Sequence, residues 1–262
     1  MGTSLADLTS APAVRIAVLS DIHGNLAALE AVVADFTRRG ADAVVNLGDN
    51  LSGPLLPLET AEYLMAQRWT HLAGNHDRQL VAAGPEGLGP SDAFARSRLS
   101  PAVLAWTAGL ATSLALNDEV FLCHGTPGSD TGYFLETAVP GRTRPATPLE
   151  VHERLGGVAA AVVLCGHTHI PRSVRSTAGQ LLLNPGSVGL PAYEDDRPFQ
   201  HVVETGSPDA RYALIEKRNG GWSAQMISLP YDFRPMAALA ARNGRRDWEC
   251  ALSTGYMPPL SP

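Results

Sequence analysis

The sequence predicts an α/β fold built on a parallel β-α-β core, and three observations carry that expectation. Residues 14–20 and 44–47 are nearly uninterrupted apolar, β-branched runs, the signature of strands buried on both faces. Between them Leu26, Leu29, Val33 and Phe36 recur at helical spacing, so strand, helix and strand alternate as a right-handed crossover requires. Each apolar run then stops at a short polar group containing a carboxylate, an amide or an imidazole.

Taken in order, residues 1–13 read as a disordered lead-in to one domain spanning 14–245. The strand at 14–20 ends in Asp21-Ile22-His23-Gly24-Asn25, where Asn25 can cap the helix that Arg38-Arg39-Gly40 closes. The next strand ends in Gly48-Asp49; a Gly/Pro loop, a helix over 58–67 and a third strand over 69–73 lead to Gly74-Asn75-His76-Asp77. Residues 83–112, rich in Gly, Ser and Pro, form a rim insertion with one helix over 101–108. Strands at 114–116 and 119–123 end in His124-Gly125, and 126–148 shows no period and reads as a second rim loop. The apolar run 158–165 ends in Gly166-His167-Thr168-His169. Two hairpins follow, turning at Ala178-Gly179 and at Asn219-Gly220-Gly221. Arg234, Arg242, Arg245 and Arg246 mark an Arg-rich surface helix, and 246–262 reads as a Pro-rich tail.

The 262-residue chain is 45% hydrophobic, ample for a sizeable core, and carries a formal charge of -6. That balance argues against general affinity for nucleic acid or an anionic membrane. It permits a small phosphorylated substrate, because bound divalent cations reverse the local sign. Cys123, Cys165 and Cys250 are odd in number without CxxC spacing, so reduced thiols are expected. No leader peptide or membrane-length apolar run is readable, and the expected compartment is the cytoplasm. Oligomeric state is not encoded in any pattern.

A carboxylate at the tip of a buried strand is costly unless paired or bound to a cation, which makes Asp49 the first candidate metal ligand. Matching groups end four other strands: Asp21 and His23, Asn75 and His76, His124, and His167 with His169. Ligands of open α/β sheets gather at the carboxyl ends of strands, so these groups should converge. Singly, each has a plainer reading as a turn, a helix cap or a hydrogen-bonded core histidine. Jointly they take five of the eight histidines, all after apolar runs. Nitrogen and oxygen donors without thiolate suit Mn, Fe, Co, Ni or Zn, and so many donors point to two ions with Asp49 shared.

The ordered motifs Asp21-Ile22-His23, Gly48-Asp49, Gly74-Asn75-His76-Asp77, His124-Gly125 and Gly166-His167-Thr168-His169 resemble those of the calcineurin-like metallophosphoesterase superfamily, small bacterial phosphoesterase type, over residues 14–190. The resemblance implies a two-sheet β-sandwich flanked by helices (αββα). It implies two divalent transition-metal ions, manganese first and Fe, Ni, Co or Zn as alternatives. Asp21, His23 and His169 would hold one ion and Asn75, His124 and His167 the other, with Asp49 between them. The implied activity is hydrolysis of phosphate mono- or diesters by a metal-bridging hydroxide, with Asp49 and His76 catalytic and Asn75 and His76 at the phosphate. Arg172 could join them there or pair with a surface acid, and Arg142 and Arg144 could reach in from the second rim loop. Asp77 could orient a ligating histidine or cap the following helix. Asn184-Pro185-Gly186-Ser187 resembles a loop that lies beside such sites, or is a tight turn. Gly48-Asp49-Asn50-Leu51-Ser52-Gly53-Pro54 lacks the second aspartate and the arginine of the serine/threonine protein phosphatases, so that activity and an aspartate partner for His76 are not expected. A dinucleoside polyphosphate hydrolase and a non-catalytic binding protein stay open as alternatives.

Overall fold

The structure, a computed structural model, describes residues 14–82, 87–218 and 220–259. The expected lead-in at 1–13, residues 83–86 of the first rim segment and Asn219 of the second expected turn lie outside the described residues.

Strand β1 (Arg15–Leu19), helix α1 (Leu26–Arg38) and strand β2 (Ala43–Asn46) form the expected crossover, with β1 and β2 parallel from Ile16↔Ala43 to Leu19↔Asn46. Asn25 accepts from Ala28 N–H and so caps α1. Helix α2 (Pro57–Met65) leads to β3 (Thr70–His71), parallel to β2, and then to α3 (Asn75–Ala82), which begins inside the Gly-Asn-His-Asp motif. The first rim segment folds into two helices, α4 (Pro90–Arg98) and α5 (Pro101–Ala108), where one was expected.

Strands β4 (Ser113–Ala115) and β5 (Val120–Cys123) follow. The second rim segment, expected as a loop, contains the hairpin β6 (Glu136–Val139) and β7 (Arg142–Pro145). Helix α6 (Pro148–Leu155) starts with a capping box between Thr147 and Glu150 and precedes β8 (Val162–Leu164). Next come β9 (Arg172–Arg175), β10 (Leu181–Asn184), β11 (Ala192–Asp195) and β12 (His201–Glu204). The second expected hairpin is β13 (Ala210–Arg218) with β14 (Gly221–Leu229). Helices α7 (Arg234–Arg242) and α8 (Arg246–Thr254) end the described chain. The stretch expected as a tail therefore opens with a helix, and α8 buries Trp248, Ala251 and Leu252 in an apolar cluster with α7 and Leu190.

The two main sheets have the orders β14-β13-β1-β2-β3 and β4-β5-β8-β10-β9. Alternation along β1 explains the sandwich: Ile16 and Val18 face Val120, Leu122, Val162 and Leu164 of the other sheet, while Ala17 and Leu19 face α1. On the far side, Val163, Cys123 and Cys165 pack against Val151 and Leu155 of α6. Helix, sheet, sheet and helix thus stack in four layers. Burying Leu29 or Phe36 of α1 stabilises this stack by about 1.5–3 kcal/mol each.

Candidate metal centre

Strand register decides where the candidate residues arrive. Strands β1, β2 and β3 run parallel, as do β5, β8 and β10, so their carboxyl ends lie at one edge of the sandwich. The loops keep bonding beyond the strands: Asp21 N–H donates to Gly48 O at 2.9 Å, His23 N–H to Asp49 O at 3.0 Å and Gly166 N–H to His124 O at 2.6 Å.

All seven candidate ligands converge there. Asp21, His23 and His169 form one group and Asp49, His124 and His167 a second, with donor atoms in each within 4.8 Å of one another. Asn75 joins the second group, its Oδ1 3.2 Å from His124 Nε2, and Asp49 Oδ2 is also 3.2 Å from that nitrogen. The groups adjoin, because Asp21 Oδ1 lies 3.3 Å from His169 Nε2 and 4.0 Å from His124 Nε2. Among the described residues, the non-glycine residues with positive φ are Asp21, His23, Asp49, His167 and His169, all of them candidate ligands. Such conformations persist only where surrounding bonds enforce them, and they cluster at functional sites.

The bonds behind the rings fix which nitrogen faces inward. A carbonyl oxygen only accepts, so the nitrogen beside it carries the hydrogen. Nδ1–H of His23 donates to Ser52 O (2.9 Å), that of His124 to Leu47 O (2.9 Å) and that of His169 to Leu190 O (2.7 Å). His167 uses the opposite face, with Nε2–H toward Thr131 O at 3.2 Å, leaving Nδ1 free. The neutral rings of His23 and His169 therefore point Nε2 lone pairs at each other across 3.2 Å. Asp21 Oδ1 beside them is buried with no hydrogen-bond partner. Two facing lone pairs and an orphaned carboxylate oxygen are satisfied by a cation, so the donor set fits a divalent metal.

Electrostatics agree. Burial, then neighbouring His169, lowers His23 to about 4, and burial with His124 lowers His167 to about 3, so both rings keep free lone pairs. Burial would also lower His124, but the charge and hydrogen bond of Asp49, with Asp21, raise it to about 10. These carboxylates demand positive charge at that nitrogen. Five buried side chains of one site share the carboxylate-imidazole balance a cation would complete.

His76 stands apart from both groups, as expected for a residue facing substrate. Its Nδ1–H donates to Asp92 Oδ1 at 2.9 Å, and its backbone N–H to Asp49 Oδ1 at 2.9 Å. Burial opposes its protonation, yet Asp49, Asp92 and Asp77 raise it to about 9. The absence of an aspartate partner, expected from the departure after Asp49, is thereby corrected: α4 supplies Asp92 from a segment whose chemistry was unreadable. The start Pro90-Ser91-Asp92 is a recognisable helix N-terminus, but nothing local says which residue it will meet. Asp77 neither orients a ligand nor serves only α3. It accepts from Gly74 N–H (3.0 Å), Asn50 N–H (3.1 Å) and the Asn50 amide (2.9 Å), tying the loops of Asp49 and Asn75 together.

Arg172 is a correction. Its guanidinium binds the buried carboxylate of Glu136 and is not among the groups lining the cleft, so the acid-pairing alternative holds. Arg144 is likewise engaged by Glu150 at 2.8 Å. The Asn184 loop does lie beside the site: Asn184 Nδ2 donates to Gly166 O (2.7 Å) and Ser187 Oγ to Asp21 O (2.7 Å).

Sequence reasoning missed the walls. A cleft of about 1310 Å³ opens over the centre, with Tyr133, Tyr193, Asp92, Arg245 and Trp248 among its lining. Tyr133 packs edge-on to His167 (centroids 5.2 Å) and Tyr193 to His169 (4.6 Å), while Trp248 of α8 packs edge-on to His23 (6.0 Å). Arg245, expected as a surface charge, donates to Ser91 Oγ at 2.8 Å and lies over the Trp248 ring.

A two-layer sandwich that brings aspartate, asparagine and histidine from parallel strand ends to one cleft defines a metallophosphoesterase. The chain belongs to the calcineurin-like phosphoesterase superfamily, whose domain model matches residues 14–206. It is accordingly a hydrolase of phosphoric esters from a metal-dependent family. Its sequence is 26% identical over 251 residues to the uncharacterized protein MJ0912 of Methanocaldococcus jannaschii, covering 89% of this chain and 94% of that one. In fold it is similar to a metallophosphoesterase from Sphaerobacter thermophilus (TM-score 0.71, 20% identity, 93% of this chain and 99% of that one). It is also similar to the hypothetical protein PH1004 from Pyrococcus horikoshii (TM-score 0.69, 16% identity, 94% and 100%). No helix among the described residues is long and apolar enough to cross a membrane.

Proposed function

We propose that this chain is a dinuclear phosphoesterase that hydrolyses mono- or diesters of phosphate on a small organic substrate. The reading rests foremost on the two Nε2 lone pairs of His23 and His169, which meet at 3.2 Å with both Nδ1 hydrogens already committed to carbonyls. Asp21, His23 and His169 would hold one divalent cation; Asn75, His124 and His167 would hold the other, with Asp49 shared. Manganese is our first choice, with Fe, Ni, Co or Zn compatible with the same donors. When bound, such a pair polarises the phosphoryl oxygens and activates the attacking water. His76, held by Asp92 and charged, is placed to donate from Nε2 to a phosphoryl or leaving oxygen. A complete donor set with an oriented acid favours catalysis over a non-catalytic scaffold. The three free cysteines support a reducing compartment, the cytoplasm, as its place of work.

Metal analysis of the purified protein, combined with turnover of p-nitrophenyl phosphate and bis(p-nitrophenyl) phosphate, tests this reading. His76→Ala should retain metal and lose about 10²-fold in kcat, whereas Asp49→Ala should lose metal and activity together. No hydrolysis with Mn, Fe, Co, Ni or Zn, or a His76→Ala protein as active as its parent, would overturn it.

A further inference from the structure

The cleft is much larger than a phosphoryl group needs, and its charges are distributed unevenly. At about 1310 Å³ it exceeds the ordinary range for small-ligand pockets, roughly 300–1,000 Å³. It extends from the centre along two walls. One is the start of α4 (Leu88, Pro90) beside His76, and the other is Tyr133 with Tyr193 beside His167 and His169.

Three cationic side chains line it among the described residues, Arg154, Arg197 and Arg245. Arg154 is spent on the carbonyls of Phe134 and Glu136 and on Thr137 Oγ1 (3.2, 2.7 and 2.9 Å). Arg245 is spent on Asp247 (2.6 Å) and Ser91 (2.8 Å). Arg197 is 91% exposed in its side chain and faces Asp196 at 3.7 Å, a pair that water screens. On the same lip stand Glu194, Asp195 and Asp196. Positive charge in this cleft is therefore concentrated at the candidate metal centre and His76. A second phosphoryl group, reaching beyond that centre, would meet carboxylates, and like charges brought together in an interface oppose binding.

We propose that the cleft selects a phosphodiester with a single phosphoryl group between two bulky organic groups, at least one of them aromatic or apolar, and rejects di- and polyphosphates. A diester carries one negative charge, the fewest a phosphate ester can carry at neutral pH, and its two organic groups occupy the two walls. Tyr133, Tyr193 and Trp248 give the aromatic contact area, and Leu190 and Met257 the aliphatic area. This inference rests on the proposed phosphoesterase activity and deepens it.

The test compares kcat/KM of the manganese-loaded protein on bis(p-nitrophenyl) phosphate, p-nitrophenyl phosphate and diadenosine tetraphosphate. The first two release the same leaving group. The diester should exceed each of the others by about tenfold or more, and Asp195→Asn combined with Asp196→Asn should raise the tetraphosphate relative to the diester by about tenfold. Calorimetric titration of the purified protein with the diester and the tetraphosphate ranks binding without turnover, and the diester should bind more tightly. A tetraphosphate or monoester used as well as the diester overturns the inference, as does a diester-to-tetraphosphate ratio that the lip variant leaves unchanged. Should none of the three be hydrolysed, the phosphoesterase reading fails on that result, and the calorimetric ranking alone decides whether the charge selection stands.

Discussion

The Asp92–His76 contact lends itself to a quantitative trial. Asp92 is 4% exposed and accepts from His76 Nδ1–H at 2.9 Å, so its carboxylate sets both the tautomer and the direction of the ring. A hydrogen bond to a charged partner contributes about 1.5–3 kcal/mol, roughly twice a neutral one. Asp92→Asn keeps an acceptor but removes the charge and should therefore forfeit about 1–1.5 kcal/mol. If that loss falls on the transition state, kcat drops about 5- to 15-fold, and Asp92→Ala, which removes the acceptor, should cost about 10- to 150-fold. Turnover of bis(p-nitrophenyl) phosphate by the metal-loaded proteins measures both, with metal content as a control expected to stay at the parent value. The decisive comparison is the double variant. Because Asp92 acts through His76, Asp92→Ala should subtract almost nothing once His76 is alanine. Full multiplication of the two losses, or an Asp92→Ala protein as fast as the parent, would refute the dyad.

Three other outcomes follow from the same geometry. A methyl on Gly74 would overlap the Asp49 carboxylate and sit 2.6 Å from Asp49 N, so Gly74→Ala should lower metal content and cost about 1–3 kcal/mol in thermal unfolding. Asp49 sits at φ 54, so Asp49→Gly should melt above Asp49→Ala by about 2–4 °C, the shift expected for roughly 1 kcal/mol of relieved strain; equal melting points would deny that strain. In α1, burial would raise the Asp35 carboxyl, but Tyr212, Arg39 and Arg38 donate to it at 2.6, 2.7 and 2.9 Å and hold it below its ordinary 3.8. A lowered folded value stabilises above the unfolded one and is lost as pH falls through the folded one. Asp35→Asn should therefore cost about 1–3 kcal/mol at pH 7, and the gap to the parent should narrow below about pH 3.8 in urea titrations.

Periodicity carried the reading of the layers because burial imposes it. Residues 14–20 had to be apolar throughout to sit between a second sheet and α1, and Asn25 had to be a capping residue. The second rim segment was opaque for the opposite reason. The hairpin of β6 and β7 is covered on few sides, so its residues need no alternation, and Arg142 and Arg144 follow no apolar template. Helix α8 was obscured by its charge, since Arg246, Asp247 and Glu249 surround the apolar trio that it buries. The candidate ligands were legible because each ends a strand. Asp92, Arg245 and Trp248 were not, because each reaches the cleft through tertiary docking of a helix whose own sequence is ordinary.

Left-handed backbone at the ligand positions shows what such patterns omit. Asp21 and His23, and again His167 and His169, take φ between 53° and 69° at alternate residues, and such positions cost about 1 kcal/mol or more each. Glycine would relieve the strain but offers no donor atom, so the positions most suited to glycine here carry side chains. What holds them is the bonding between loops: Asp21 N–H to Gly48 O, His23 N–H to Asp49 O, Ser187 Oγ–H to Asp21 O and His167 N–H to Asp21 Oδ2. Each of those bonds joins a different pair of strand ends, so no loop can relax without its neighbour. The donors are thus held facing one another by the sandwich itself, before any cation arrives to balance them.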